Sequence, residues 1–145
     1  MSKKVTGLGE SMRRVDAIHE AARRRNGSEF LKRPWGGYEV ILKTSDYVVK
    51  RLIVKPGEAT SLQSHEGRAE DWVVVRGSIL VTSTWNDDEA LYDMGFDTGE
   101  RIHIDKEQLH RITNGGAEDA HIIEVWTGDD LREDDITRYE DRYGR

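Results

Sequence analysis

Between Tyr38 and Trp126 the apolar residues fall in short runs that alternate with polar ones, and a turn signal closes nearly every run. A period of two sends successive side chains to opposite faces, which is the pattern of strands buried on one side. Tyr38–Leu42 and Tyr47–Val54 read as strands about a turn at Thr44-Ser45-Asp46, and Pro56-Gly57 ends the second. Further strands are expected at 61–65, 71–75, 78–84, around 91–92, and at 101–104, 110–112 and 121–126, with Trp85-Asn86-Asp87-Asp88 a polar turn. The 14 Gly against 2 Pro suit many tight turns better than a Pro-rich linker. Such spacing leaves almost no room for internal helices. The expected fold class is therefore all-β, a sandwich or β-barrel, and a jelly roll best fits the number and length of the strands.

The flanks read differently. Residues 1–9 are expected to be disordered. From Ser11 to Arg25, Met12, Val15, Ile18 and Ala22 recur at helical spacing. Ser11 caps the start, and Arg23 to Arg25 complement the C-terminal dipole before Asn26-Gly27 stops the helix. Its narrow apolar stripe implies docking on the body or on another subunit. In the charged tail after Asp129, Asp134–Tyr143 is expected to form a short helix. The 145 residues thus divide into an extension, 1–32, bearing one basic amphipathic helix, and one domain, 33–145, large enough for a core.

Composition narrows the chemistry. The chain has no Cys, so disulfides, thiolate nucleophiles and thiolate metal sites are excluded, and any metal must take N and O ligands. No apolar run approaches the roughly 20 residues of a membrane span, and the N-terminus lacks the apolar core of a signal peptide. A cytoplasmic protein with no membrane partner is the expectation. Residues 1–34 carry 9 Lys/Arg against 4 Asp/Glu, whereas 35–145 carry 13 against 24. Phosphate repulsion from that acidic body opposes nucleic-acid binding. A basic head on an acidic body favours self-association, so a homodimer is expected.

Within the strands lies a framed set of ligand-type residues. Gly57 leads to Gln63-Ser64-His65, then Glu70 and Gly77; a second block runs from Gly99 through Asp105 to His110 and Asn114. Alternation places Gln63 and His65 on one face. Glu66-Gly67 supplies a turn, after which Glu70 shares a face with Trp72 and Val74, and His110 with Ile112. Those apolar partners mark the inward face, so four polar groups converge in an apolar interior. An unpaired buried Glu70 would cost several kcal/mol. A divalent metal held by Gln63, His65, Glu70 and His110 removes that cost, since two imidazoles and a carboxylate suit a first-row ion and leave positions open for substrate. Zn heads the choice, with Mn, Fe, Co and Ni also suited. His19, His103 and His121 read as ordinary hydrogen-bonded histidines.

The two glycine-framed blocks resemble the two motifs of the cupin superfamily, with Gln63 where many cupins have histidine. Arg33-Pro34-Trp35-Gly36, Lys50-Arg51, Val54-Lys55-Pro56-Gly57, Ser61-Leu62-Gln63, Arg68-Ala69-Glu70-Asp71-Trp72, His110-Arg111 and the ending from Glu133 to Arg145 resemble the type II mannose-6-phosphate isomerase domain. In that family the domain is usually the C-terminal half of a bifunctional enzyme with mannose-1-phosphate guanylyltransferase activity. The likeness covers about Arg33 to Arg145, and the preceding residues hold no Gly-rich nucleotide loop. It implies a cupin jelly roll and a metal-dependent aldose–ketose isomerase acting on mannose 6-phosphate or fructose 6-phosphate through a cis-enediol(ate), for nucleotide-sugar or polysaccharide precursor synthesis. It also implies a separate nucleotidyltransferase as a partner. Arg68 and Glu70 match the Arg-Ala-Glu element to which the family's activity is tied. Arg138 and Arg145 match its C-terminal arginines, whose forked donors suit a phosphate; ion pairs to Asp135, Glu140 or Asp141 are the plainer alternative. Lys50 and Arg51 are further candidates, of which at most one points inward. Ser64, Glu66, Gly67 and Asp71 replace the usual histidines, and Asp105-Lys106-Glu107-Gln108 replaces a loop that normally carries Pro and Gly. Two alternatives stand beside the isomerase: a non-catalytic metal- or sugar-binding module, and another cupin enzyme such as an Fe-dependent oxygenase.

Overall fold

The computed structural model describes residues 29–85 and 90–145. The helix expected at Ser11–Arg25 lies outside them. Eleven strands are present among the described residues: β1 (Phe30–Arg33), β2 (Gly36–Lys43), β3 (Tyr47–Val54), β4 (Leu62–Ser64), β5 (Arg68–Arg76), β6 (Ser78–Ser83), β7 (Tyr92–Asp97), β8 (Arg101–Ile104), β9 (His110–Thr113), β10 (Ala120–Gly128) and β11 (Thr137–Glu140). All pair antiparallel in two sheets, one ordered β1-β2-β3-β10-β5-β8 and the other β11-β4-β9-β6-β7. This is the all-β double-sheet jelly roll that best fitted the strand pattern.

The apolar members of each run meet between the sheets. Trp72, Val74, Val81, Ile104, Ile112 and Ile122 form the centre of the core, each no more than 2% exposed. Truncating a core tryptophan such as Trp72 to alanine costs about 3–5 kcal/mol. The core fills one end of the barrel. Toward the other end the same inward positions on β3, β5 and β10 carry Lys50, Arg68, Glu70 and Glu124, all buried.

Two elements depart from expectation. β1 pairs with the start of β2 about Pro34-Trp35, with Arg33 opposite Gly36, where the sequence reads as a break ahead of the first strand. The short helix expected at Asp134–Tyr143 is absent, and Thr137–Glu140 is a strand instead. β11 lies along β4, with Thr137 opposite Ser64 and Arg138 opposite Gln63. β4 pairs with β9 on one side, so its other edge offers unpaired backbone groups that a strand satisfies and a helix does not.

Candidate metal centre and its cavity

Three backbone devices aim the candidate ligands. Gln63 on β4 sits opposite His110 at the start of β9. His65 follows at the end of β4, and the bend at Glu66-Gly67 carries the chain into β5, where Arg68 and Glu70 face inward. That bend is clamped. The Asp135 carboxylate accepts from the backbone N–H of Glu66 (3.1 Å) and Gly67 (2.9 Å), and Gly67 O accepts from Asp129 and Asp130. Glycine is required here: a Cβ on Gly67 would stand 2.3 Å from Asp130 Cβ, and one on Gly128 (φ 145°) would stand 2.2 Å from Gly67 O.

The imidazoles are oriented by backbone carbonyls. His65 donates from Nδ1 to Asp135 O at 2.7 Å, and His110 from Nδ1 to Gln108 O at 2.8 Å. Both Nε2 atoms are thereby left as lone-pair donors, and they face each other at 3.2 Å. Glu70 closes the triangle, Oε1 at 3.0 Å from His65 Nε2 and Oε2 at 3.7 Å from His110 Nε2. Ligands about 2.05 Å from a tetrahedral ion lie about 3.3 Å apart, and these separations bracket that value. The donor set fits a divalent metal, because two imidazole lone pairs and a carboxylate converge at ligand spacing. All three residues are buried, and their ligand atoms lie within 4.8 Å of one another.

Gln63 and Arg68 complete the cluster. Gln63 Nε2 lies 3.5 Å from His65 Nε2 and 3.4 Å from His110 Nε2, while Ser61 Oγ donates to Gln63 Oε1. Turning the amide over would present its oxygen to a metal. Arg68 donates from Nε to Glu70 Oε1 at 3.0 Å, from Nη2 to His65 Nε2 at 3.2 Å and from Nη1 to Arg132 O at 3.0 Å. Its guanidinium also stacks 3.4 Å from the centre of the Trp126 ring. Arg68 is thus committed to holding Glu70 and His65.

Electrostatics follow from burial and proximity. Burial alone would raise the Glu70 carboxyl, but the adjacent His65 and, once protonated at low pH, His110 hold it well below the usual carboxylate range. Burial lowers His110 to about 4, so its ring is neutral near pH 7. Glu124, inward on β10, is pushed well above the usual range by burial, by the charge of Glu70 and by a hydrogen bond to it.

Gln63 and Arg68 also line a cavity of about 150 Å³, together with Lys50, Glu124, Arg138 and Arg145. The structure therefore gathers Lys50, Gln63, Arg68, Arg138 and Arg145 around one cavity, with Gln63 and Arg68 also touching the His65–Glu70–His110 cluster. It turns Lys50 inward at 3% exposure, and sends Arg51 to the opposite face to pair with Glu39 at 2.6 Å. Arg145 is held by Asp141, Nε to Oδ2 at 2.8 Å, and Arg138 is exposed at the cavity. Glu124 and Trp126 were not singled out. Their parity with Ala120 and Ile122 was the available signal, since all four share the inward face of β10.

A jelly roll with an inward His-Glu-His cluster defines a cupin. The chain belongs to the mannose-6-phosphate isomerase C-terminal family, which matches residues 21–141. It is 42% identical over 132 residues to the mannose-1-phosphate guanylyltransferase ManC of Salmonella typhimurium, covering 91% of this chain and 25% of that protein. It is also 42% identical over 113 residues to the alginate biosynthesis protein AlgA of Pseudomonas aeruginosa strain PAO1, covering 78% of this chain and 22% of that one. The chain thus spans about a quarter of the length of these curated relatives. Among solved structures it resembles the capsular polysaccharide assembling protein CapF of Staphylococcus aureus, with a TM-score of 0.68 at 23% identity over 79% of this chain and 34% of that one. A variant of Bacillus subtilis oxalate decarboxylase OxdC also gives a TM-score of 0.68, at 16% identity over 77% of this chain and 30% of that one. These two show the fold alone. Among the described residues no helix is long and apolar enough to cross a membrane.

Proposed function

We propose that this domain is a metal-dependent aldose–ketose isomerase of sugar phosphates, interconverting mannose 6-phosphate and fructose 6-phosphate for polysaccharide precursor synthesis. The observation that carries the reading is the convergence of His65, Glu70 and His110 behind a cavity that also bears Arg138 and Arg145, in a chain of this family. Gln63, His65, Glu70 and His110 would hold the ion, which when bound polarises a substrate oxygen and stabilises enediolate charge. Arg68 keeps Glu70 and His65 in register. Arg138 offers a forked donor to the phosphate, and Arg145 would join it on release from Asp141. Residues 33–145 form the catalytic domain in this reading, with 1–32 an appended basic segment and a nucleotidyltransferase as separate partner.

Protein loaded in turn with Zn, Mn, Co, Ni and Fe should convert mannose 6-phosphate to fructose 6-phosphate. Absence of turnover with every metal and several hexose phosphates would sink the proposal. One observation favours a second reading, a non-catalytic sugar-phosphate module: Gln63 and Arg68 stand between the cavity and the histidines. Saturable binding without turnover would select it.

A further inference from the structure

Lys50 puts a charge where packing alone would take an apolar side chain. Its position on β3 shares the inward face with Val48, Leu52 and Val54, and an apolar residue would fill it without the several kcal/mol that burying an ammonium costs. The side chain is 3% exposed and lines the cavity. Its Nζ lies 4.1 Å from the centre of the Tyr38 ring and 3.7 Å from that of Trp126, and it forms an ion pair with Glu133. Arg68 stacks on Trp126 as well, so one indole contacts both the lysine and the guanidinium that holds the metal-ligand cluster. Two aromatic rings thus fix an amine in the wall of the cavity, and they leave it near, but outside, that cluster.

We propose that Lys50 is the catalytic proton carrier of the isomerisation, touching the substrate at C1 and C2. The inference rests on the isomerase reading above. Neutral Lys50 Nζ takes the C2 proton of the open-chain aldose phosphate; the C2–H electron pair becomes the C1=C2 bond, and O1 takes the negative charge. The O2 hydroxyl proton passes to O1, and the ammonium then returns its proton to C1 as the carbonyl re-forms at C2. The lysine ends neutral, and nothing is oxidised or consumed. The surroundings act on that amine in both directions, with burial the largest influence. Burial pushes the ammonium below the ordinary lysine value, and the neighbouring Arg68 does the same. Glu124 from β10 and Glu133 from the C-terminal segment pull the other way. Tyr38 from β2 faces the amine with its ring. Glu124 is the other buried carrier in this wall, but its hydrogen bond to Glu70 commits it to the metal-ligand cluster.

The test compares Lys50→Arg, Lys50→Met and Lys50→Cys in the whole metal-loaded chain. Each is read by turnover, bound metal, circular dichroism and affinity for 6-phosphogluconate, which carries the phosphate but cannot isomerise. Turnover should fall about 100-fold or more in all three, with metal content and 6-phosphogluconate affinity little changed. Arginine keeps the charge but cannot release a proton. Because the chain has no other thiol, unfolding Lys50→Cys, alkylating it with 2-bromoethylamine and refolding restores an amine at this position alone. Turnover should return, with its acid limb moved to lower pH, because the thioether makes the amine more acidic. Near-normal turnover in Lys50→Arg overturns the proposal, as does a loss of 6-phosphogluconate affinity that parallels the loss of turnover. Failure of the aminoethylated protein to recover activity, with native dichroism, also overturns it. A wild-type protein that never turns over removes the isomerase reading itself, and Lys50's role with it.

Discussion

At the scale of single residues, burial sets each group's task. Glu70 is 1% exposed, yet it stays ionised because both oxygens accept hydrogen bonds: Oε1 from Arg68 Nε at 3.0 Å, Oε2 from the Trp72 indole N–H at 3.1 Å. Removing one partner of such a buried pair costs about 3–5 kcal/mol, so losing Arg68 would destabilise the cluster through Glu70. His103 shows the opposite regime. It is exposed, and it bridges Asp71 at 2.7 Å from Nδ1 and Asp105 at 2.9 Å from Nε2, which requires protons on both nitrogens. Its hydrogen bond to Asp71 raises its pKa, with Asp105 adding to the effect. A raised folded value means that the stabilisation is complete below the unfolded pKa of about 6.5 and is lost as pH rises through the folded one. Solvent screening limits it to a few tenths of a kcal/mol. An NMR titration should place His103 above about 6.5, and Asp71→Asn should bring it down. An ordinary midpoint in the native protein would contradict this account.

At the scale of elements, the loop ahead of β9 carries a local cost. Glu107 has φ 64°, in the left-handed region that favours glycine, and its N–H donates to His65 O at 2.7 Å. A left-handed non-glycine residue costs about 1–2 kcal/mol, partly offset by the freedom glycine adds to the unfolded chain. Glu107→Gly should therefore leave stability unchanged or raise it by up to about 1 kcal/mol, read by denaturant unfolding; a clear loss would show that the Glu107 side chain is needed. Much of this architecture was legible in sequence, because alternation fixes both strands and facing. The parity of Gln63, His65, Glu70 and His110 carried directly into the structure. β1 escaped because Phe30–Arg33 has no alternation of its own and is specified by its partner Gly36–Glu39. β11 escaped because its charged tail obeys the needs of the β4 edge, a tertiary requirement that no local pattern encodes. Lys50 stayed ambiguous for another reason. A charged residue inside a strand usually faces water, and only the register with Glu124 settles its side.

At the scale of the whole molecule, the division of labour runs along the barrel. One end is filled by the apolar core, and the other holds a charged wall around the cavity, closed by the tail from Asp129 to Arg145. That tail supplies the carbonyl that orients His65 and the carboxylate that clamps its bend, so it belongs to the site. We propose that the basic residues 1–34 of one chain pair with the acidic remainder of a second. Light scattering at physiological salt should give twice the chain mass, and a monomer would contradict the proposed homodimer. The central claim is that Gln63, His65, Glu70 and His110 hold a metal, and elemental analysis of the purified protein tests it most directly. The expected result is about one divalent first-row ion per chain, lost in His65→Ala and in His110→Ala while circular dichroism stays that of the native fold. Protein that takes up none of Zn, Mn, Fe, Co or Ni, or variants that keep their metal, would contradict it.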